Sequence, residues 1–175
     1  MTRKGTRKEP APKPGFRRII GVDPGLASTG WGIIDSGGSR IRYVAHGCIE
    51  TGTETPHAGR LFFIHEEFCR VLELYDPGES AIEKLYFARN VTSALAVAEA
   101  RGVLIMALAR RKLRVAEFTP NAIKKGVVGE NSADKRQIQE MVRIILGLKE
   151  IPSPDHAADA LGAAICCAYS APFIL

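Results

Sequence analysis

The sequence predicts an α/β fold: a mixed sheet of five strands with helices packed against it. Three observations carry this prediction. Strand-like and helix-like segments follow one another in the order β-β-β-α-β-α-β-α-α. The second and third strands are joined by "DSGGS", a hairpin sequence, so the first part of the sheet is antiparallel. The last two strands are each reached through a helix, and such crossovers bring a strand back parallel to the first.

Each element has its own local reason. "FRRIIGVDPG" is a β-branched run stopped by Pro-Gly, a strand and a turn. "STGWGIIDSGG" and "RIRYVAHGCIET" supply strands two and three. Over 57–75, Leu61, Ile64, Phe68, Val71, Leu72 and Tyr75 recur at helical spacing, and "YDPGES" ends the helix. "SAIEKLYF" reads as the fourth strand, and "NVTSALAVAEARGVLIMALARRK" as a long helix apolar enough to be mostly buried. "LRVAEFTP" is the fifth strand and "TPNAIKKGV" starts a short helix. "SADKRQIQEMVRIILGL" reads as an amphipathic helix with Ser132 as its cap and Ile138, Met141, Val142 and Ile145 on one face. "SPDHAADALGAAICCAYS" is the last helix, with Ser153 able to cap it and Pro154 suited to its first position.

A chain of 175 residues has single-domain length, and 46% hydrophobic residues suffice for a core. No apolar run reaches the ~18 residues of a membrane span, and "MTRKGTRKEPAPKPG" lacks the apolar stretch of a secretory signal. Cys48, Cys69, Cys166 and Cys167 form no CxxC pair, so reduced thiols and a cytoplasmic location are expected. Of the formal +5, residues 1–18 contribute seven basic side chains against the single acid Glu9, which leaves the rest of the chain at −1. We therefore expect a basic disordered tail over 1–16 and one folded domain over 17–175. Such a tail can hold nucleic acid through phosphates or act as a solubilising extension, and both readings stay open.

Three stretches place acids where solubility does not require them. Asp23 closes an apolar strand, either as the start of the Pro-Gly turn or as a site residue. Alternation puts Glu83 on the face of Ala81 and Leu85, at the strand's C-terminal end, where ligand crevices of open α/β sheets form. An edge-strand charge is the alternative. In "PDHAADAL", Asp155 falls in the first helical turn, where the helix dipole favours an acid. That does not account for Asp159, which lies more than a turn in, between Ala158 and Ala160. His156 and Asp159 stand i,i+3 on one face, and the alanines permit close packing on a sheet. A carboxylate buried there needs a partner, which a metal ion supplies. If the fourth strand lies beside the first, Asp23, Glu83, His156 and Asp159 meet as an oxygen-rich site of the kind that holds Mg²⁺ or Mn²⁺.

With these residues in place, the sequence resembles the RuvC-type Holliday junction resolvases from about residue 17 to residue 170. "IIGVDPGLASTGWGII" resembles that family's first strand and DPG turn, and "AIEKLYFARN" its second acidic motif with an aromatic-basic loop. "VVGENSADKRQIQEMV" is similar to its basic segment and "DHAADALGAAI" to its last motif. The resemblance implies an RNase H-like fold with strand order 3-2-1-4-5, and nuclease chemistry over 17–175. It implies Asp23, Glu83, His156 and Asp159 as catalytic residues and metal ligands, with two Mg²⁺ or Mn²⁺ ions per active site. It implies DNA contacts from Tyr86, Phe87 and Arg89 in the loop and from Lys124 and Lys135. The implied partners are four-way junction DNA, a second copy of the chain and a branch-migration helicase complex. Taken alone, Tyr86 and Phe87 could equally be core residues, and "RRKLR" at 110–114 reads as a solvated helix end.

Two rival readings are weaker. A sugar-kinase or actin-like ATPase also begins with a strand, an acid and a Gly-containing turn, but it needs two such domains, and no GxxxxGK[ST] loop is present. A non-catalytic junction binder gains nothing from acids placed near phosphates.

Overall fold

Strand β1 (Arg17–Asp23) buries Ile19, Ile20 and Val22 completely, so both of its faces are covered and it belongs in the middle of a sheet. The computed structural model describes residues 8–85, 91–130 and 132–170, and only the backbone of 91–93. Tyr86, Phe87 and Arg89 lie outside the described residues. β1 pairs antiparallel with β2 (Ser28–Gly37), which pairs antiparallel with β3 (Arg40–Glu50). The β2–β3 turn is Gly38–Ser39, and Gly38 has φ +58, a left-handed value that suits glycine. On its other side β1 pairs parallel with β4 (Glu79–Glu83), which pairs parallel with β5 (Val115–Phe118). The order is β3-β2-β1-β4-β5, as the resemblance implies.

Strand alternation divides the core between two faces. Ile19 and Ile34 point to one face, where α3 (Pro120–Val128), α4 (Lys135–Leu146) and α5 (Asp155–Tyr169) add Ile123, Val142, Leu161 and Ile165. Their neighbours Ile20 and Ile33 point to the other, against Phe68 and Leu72 of α1 (His57–Tyr75) and Leu104 and Leu108 of α2 (Val91–Arg110). α2 is less buried than its composition suggests, since Leu95 and Met106 are about half exposed at 56% and 50%.

Close approach of α5 to the sheet positions the site. A Cβ added at Gly21 would lie 1.9 Å from the Ala160 carbonyl oxygen, and one at Gly30 would lie 1.9 Å from that of His156. Both strand glycines therefore make room for helix backbone. The alanines of α5 do the same from the other side, with Ala157, Ala158 and Ala160 buried.

The structure corrects four expectations. β4 ends at Glu83, so Lys84 and Leu85, read as part of it, lie past its end: β1 pairing ends at Val22 with Ile82 and β5 pairing at Phe118 with Glu83. The cap of α4 is Asp134, not Ser132. Asp134 has Gln137 three residues on and forms the reciprocal capping box, whereas Ser132 has Lys135 at that spacing. Ser153 does not cap α5. Helix bonding begins at the Pro154 carbonyl, which accepts from the Ala157 N–H at 2.9 Å, so Pro154 is itself the N-cap. Within residues 8–16, read as part of a disordered tail, Lys8, Glu9 and Phe16 touch the body. The Glu9 N–H donates to the Leu74 carbonyl at 2.8 Å, Lys8 pairs with Asp76 at 3.6 Å, and Arg42 stacks over Phe16 at 4.4 Å.

Candidate metal centre

The C-terminal ends of β1 and β4 lie side by side, so Asp23 and Glu83 reach the same edge of the sheet. The start of α5 crosses that edge over Gly30, the residue paired with Asp23. His156 and Asp159 then project toward Asp23. One ligand atom from each of Asp23, His156 and Asp159 lies within 4.8 Å of the others. Nδ1 of His156 stands 2.6 Å from an Asp23 carboxylate oxygen. Glu83 lines one wall of a cleft of about 230 Å³ with Asp23, Pro24 and Lys84. It also lines a second cleft of about 210 Å³ with Lys124, Lys135 and Asp159. Asp23, Glu83, His156, Asp159, Lys124 and Lys135, all singled out in the sequence, are therefore gathered at one place.

The electrostatics are those of crowded acids with too few cations. Burial, and then the charges of Asp23 and Asp159, push Glu83 up to about 7. Burial and the Asp23 charge likewise raise Asp159, against the pull of Lys135. The hydrogen bond to Asp23 raises the His156 pKa despite some desolvation, and the charges of Asp23 and Asp159 add to it. At neutral pH Glu83 is therefore partly protonated, where an ordinary carboxylate is ionised. Three carboxylates and an imidazole, short of positive charge, fit a divalent cation.

Sequence reasoning missed two parts of the site. Asp155 is a first-turn acid, as expected, but its carboxylate also bonds across to α4. Oδ2 lies 3.1 Å from the Lys135 ammonium, and Oδ1 accepts from the Gln139 amide at 3.0 Å. The same ammonium lies 3.4 Å from Asp159. The i,i+4 spacing of Lys135 and Gln139 was the available signal, but only the packing of α4 on α5 supplies their common partner. Arg101 was also missed: its guanidinium donates to the Glu83 carbonyl at 3.4 Å and pairs with Glu117.

Residues 19–167 match the family model for crossover junction endodeoxyribonuclease RuvC. The chain is 50% identical over 156 residues to the protein of that name from Treponema pallidum, covering 87% of this chain and 80% of that one. It is 52% identical over 152 residues to the Thermotoga maritima protein of that name, covering 87% and 90%. A solved structure, Thermus thermophilus RuvC in complex with Holliday junction substrate, superposes with a TM-score of 0.83 at 32% identity, covering 87% of this chain and 93% of that one. The sheet order and flanking helices are those of an RNase H-like fold. No described helix is long and apolar enough to cross a membrane.

Proposed function

The chain belongs to the RuvC family of crossover junction endodeoxyribonucleases, and from that premise we propose that it resolves four-way DNA junctions by divalent-metal-dependent hydrolysis of phosphodiester bonds. The observation that carries this reading is the meeting of Asp23, His156 and Asp159 within 4.8 Å at the end of the sheet, with Glu83 beside them.

Each residue has a role its position supports. Asp23, Glu83, His156 and Asp159 would hold the Mg²⁺ or Mn²⁺ ions, two per site. Asp23 shares one cleft with the β4 acid Glu83 and stands within 4.8 Å of the α5 pair, so its carboxylate would hold metal together with either group. Bound there, divalent ions supply Lewis-acid charge at the phosphoryl oxygen and a water acidic enough to attack at neutral pH. The carboxylates and the imidazole must be deprotonated to hold such an ion, so binding would release protons. Lys124 and Lys135, on the wall of the second cleft, offset the charge of the scissile phosphate. Tyr86, Phe87 and Arg89, which come shortly after β4 in sequence, would contact the bases and phosphates of the crossover.

The working unit is a homodimer, because a four-way junction has two-fold symmetry and paired nicks need two sites related by the same axis. Leu95 and Met106 of α2, with Phe62 and Phe63 of α1, give the α1–α2 face the exposed apolar surface such an interface requires. The setting is homologous recombination and DNA repair in the cytoplasm, with a branch-migration helicase complex as partner. The direct test is cleavage of a synthetic four-way junction beside a plain duplex of the same sequence. Mg²⁺ or Mn²⁺ should support paired nicks at symmetric positions in two opposed strands, and chelation should stop them. Equal cutting of the duplex, or cutting without metal, would refute the proposal.

A further inference from the structure

Lys135 stands between two carboxylates, one that belongs to the proposed metal site and one that does not. Its ammonium is 3.1 Å from Asp155 and 3.4 Å from Asp159. An ammonium at Asp159 competes for the same carboxylate oxygens that a divalent ion needs. A lysine tied to Asp159 alone would therefore have to be displaced each time metal entered. Asp155 offers a second seat just outside the ligand group. It is not itself free to swing, because its other oxygen is held by the amide of Gln139, a buried side chain one helical turn beyond Lys135. Its place at the start of α5 explains an acid there, but not the aim of its two oxygens at two residues of α4.

We infer that Asp155, aimed by Gln139, is a positioning residue: it anchors the Lys135 ammonium beside the metal site, so that metal can take Asp159 while the lysine stays within reach of the substrate phosphate. This rests on the metal-site reading above and adds to it a residue that is neither ligand nor DNA contact. It separates two effects of an acid near a metal. A nearby negative charge attracts the cation whatever Lys135 does. An anchor matters only while Lys135 carries its charge.

The test is a Mn²⁺ titration of the full-length, DNA-free protein, followed by the paramagnetic resonance of free Mn²⁺. Four chains are compared: wild type, Asp155→Asn, Lys135→Gln and the double variant. Asp155 is 66% exposed, so the substitution leaves the fold intact. Asp155→Asn should weaken Mn²⁺ binding about two- to fivefold, the range an exposed ion pair supports. In the Lys135→Gln background the same change should alter affinity by less than about 1.5-fold, so the two substitutions are coupled. An equal loss in both backgrounds would show that Asp155 acts by its own charge and would overturn the inference, as would no loss in either. Asp159→Asn tests the underlying reading separately. If it leaves Mn²⁺ affinity unchanged, the metal site is wrongly placed and the inference falls with it.

Discussion

Asp23, Glu83 and Asp159 crowd three carboxylates into one crevice, and protons compensate where metal is not bound. Glu83 is pushed up to about 7, and the pKa values of Asp159 and His156 are raised as well. Metal binding must therefore expel protons at neutral pH. Calorimetric Mn²⁺ titrations in buffers of different ionisation enthalpy should show net proton release at pH 7 that fades by pH 9. A heat independent of buffer at pH 7 would contradict the assigned ligands. His156 carries a second prediction, because imidazole suits Mn²⁺ better than Mg²⁺ whereas carboxylate suits both. His156→Asp should retain cleavage and raise the relative rate with Mg²⁺, and His156→Ala should lose most cleavage with either metal. Rates measured in each metal decide it. At this scale the acids could be read from sequence because each broke a local pattern: an acid ending an apolar strand, or one set among alanines. The anchor of Lys135 broke none. Asp155 looked like an ordinary first-turn acid, and its partners sit on another helix. A variant at Asp155 is accordingly not the neutral control that its sequence position suggests.

The elements explain why residues so distant in sequence meet. Hairpin and crossover signals place β1 next to β4, and their C-terminal ends carry Asp23 and Glu83 to one edge. Helix α5 must then lie almost on the sheet, and glycines at 21 and 30 permit it. A methyl group at residue 30 would overlap the His156 carbonyl, which no side-chain rotation relieves. Gly30→Ala should lower stability by about 3 kcal/mol, at the upper end for overpacking, and should move His156 away from Asp23. In a domain of this size that is roughly a 6–12 °C loss in Tm. Thermal unfolding and junction cleavage measure the two effects, and an unchanged Tm would mean that α5 sits farther from the sheet. The alanines of α5 announced close packing in the sequence, but the glycines opposite them did not. A strand glycine signals a bulge or a close approach without saying to what. Element ends were the least legible part, for physical reasons. β4 stops where its neighbours stop, and the cap of α4 is chosen by the reciprocal bonds of Asp134 and Gln137.

On the scale of the whole molecule, the crowded acidic end works against the fold. Glu83, whose folded pKa of about 7 exceeds the ordinary carboxylate value of 4.5, contributes stability fully below pH 4.5. That contribution is lost as pH rises through 7, because the folded state holds the proton more tightly than the unfolded chain. Asp159 and His156, also raised, act in the same direction. The metal-free protein should therefore be less stable at pH 8 than at pH 5, with at most about 3 kcal/mol of the difference from Glu83. Glu83→Gln should flatten that slope, and Mg²⁺ or Mn²⁺ should restore stability at pH 8. Denaturant midpoints across pH, with and without metal, check this. A slope of the opposite sign would mean that the carboxylates are not crowded in solution.

The central claim is that the acids at the end of β1, β4 and α5 hold metal for cutting a junction and do not themselves hold the DNA. The measurement that tests it most directly is a paired assay of one variant, Asp159→Asn, on a labelled four-way junction. Cleavage with Mg²⁺ or Mn²⁺ is read on one gel and binding with Ca²⁺ on another. Nicking should disappear while junction affinity is kept or tightened, because one repulsive charge facing phosphate is gone. Robust metal-dependent nicking by Asp159→Asn, or loss of junction binding together with cleavage in a folded protein, would contradict it.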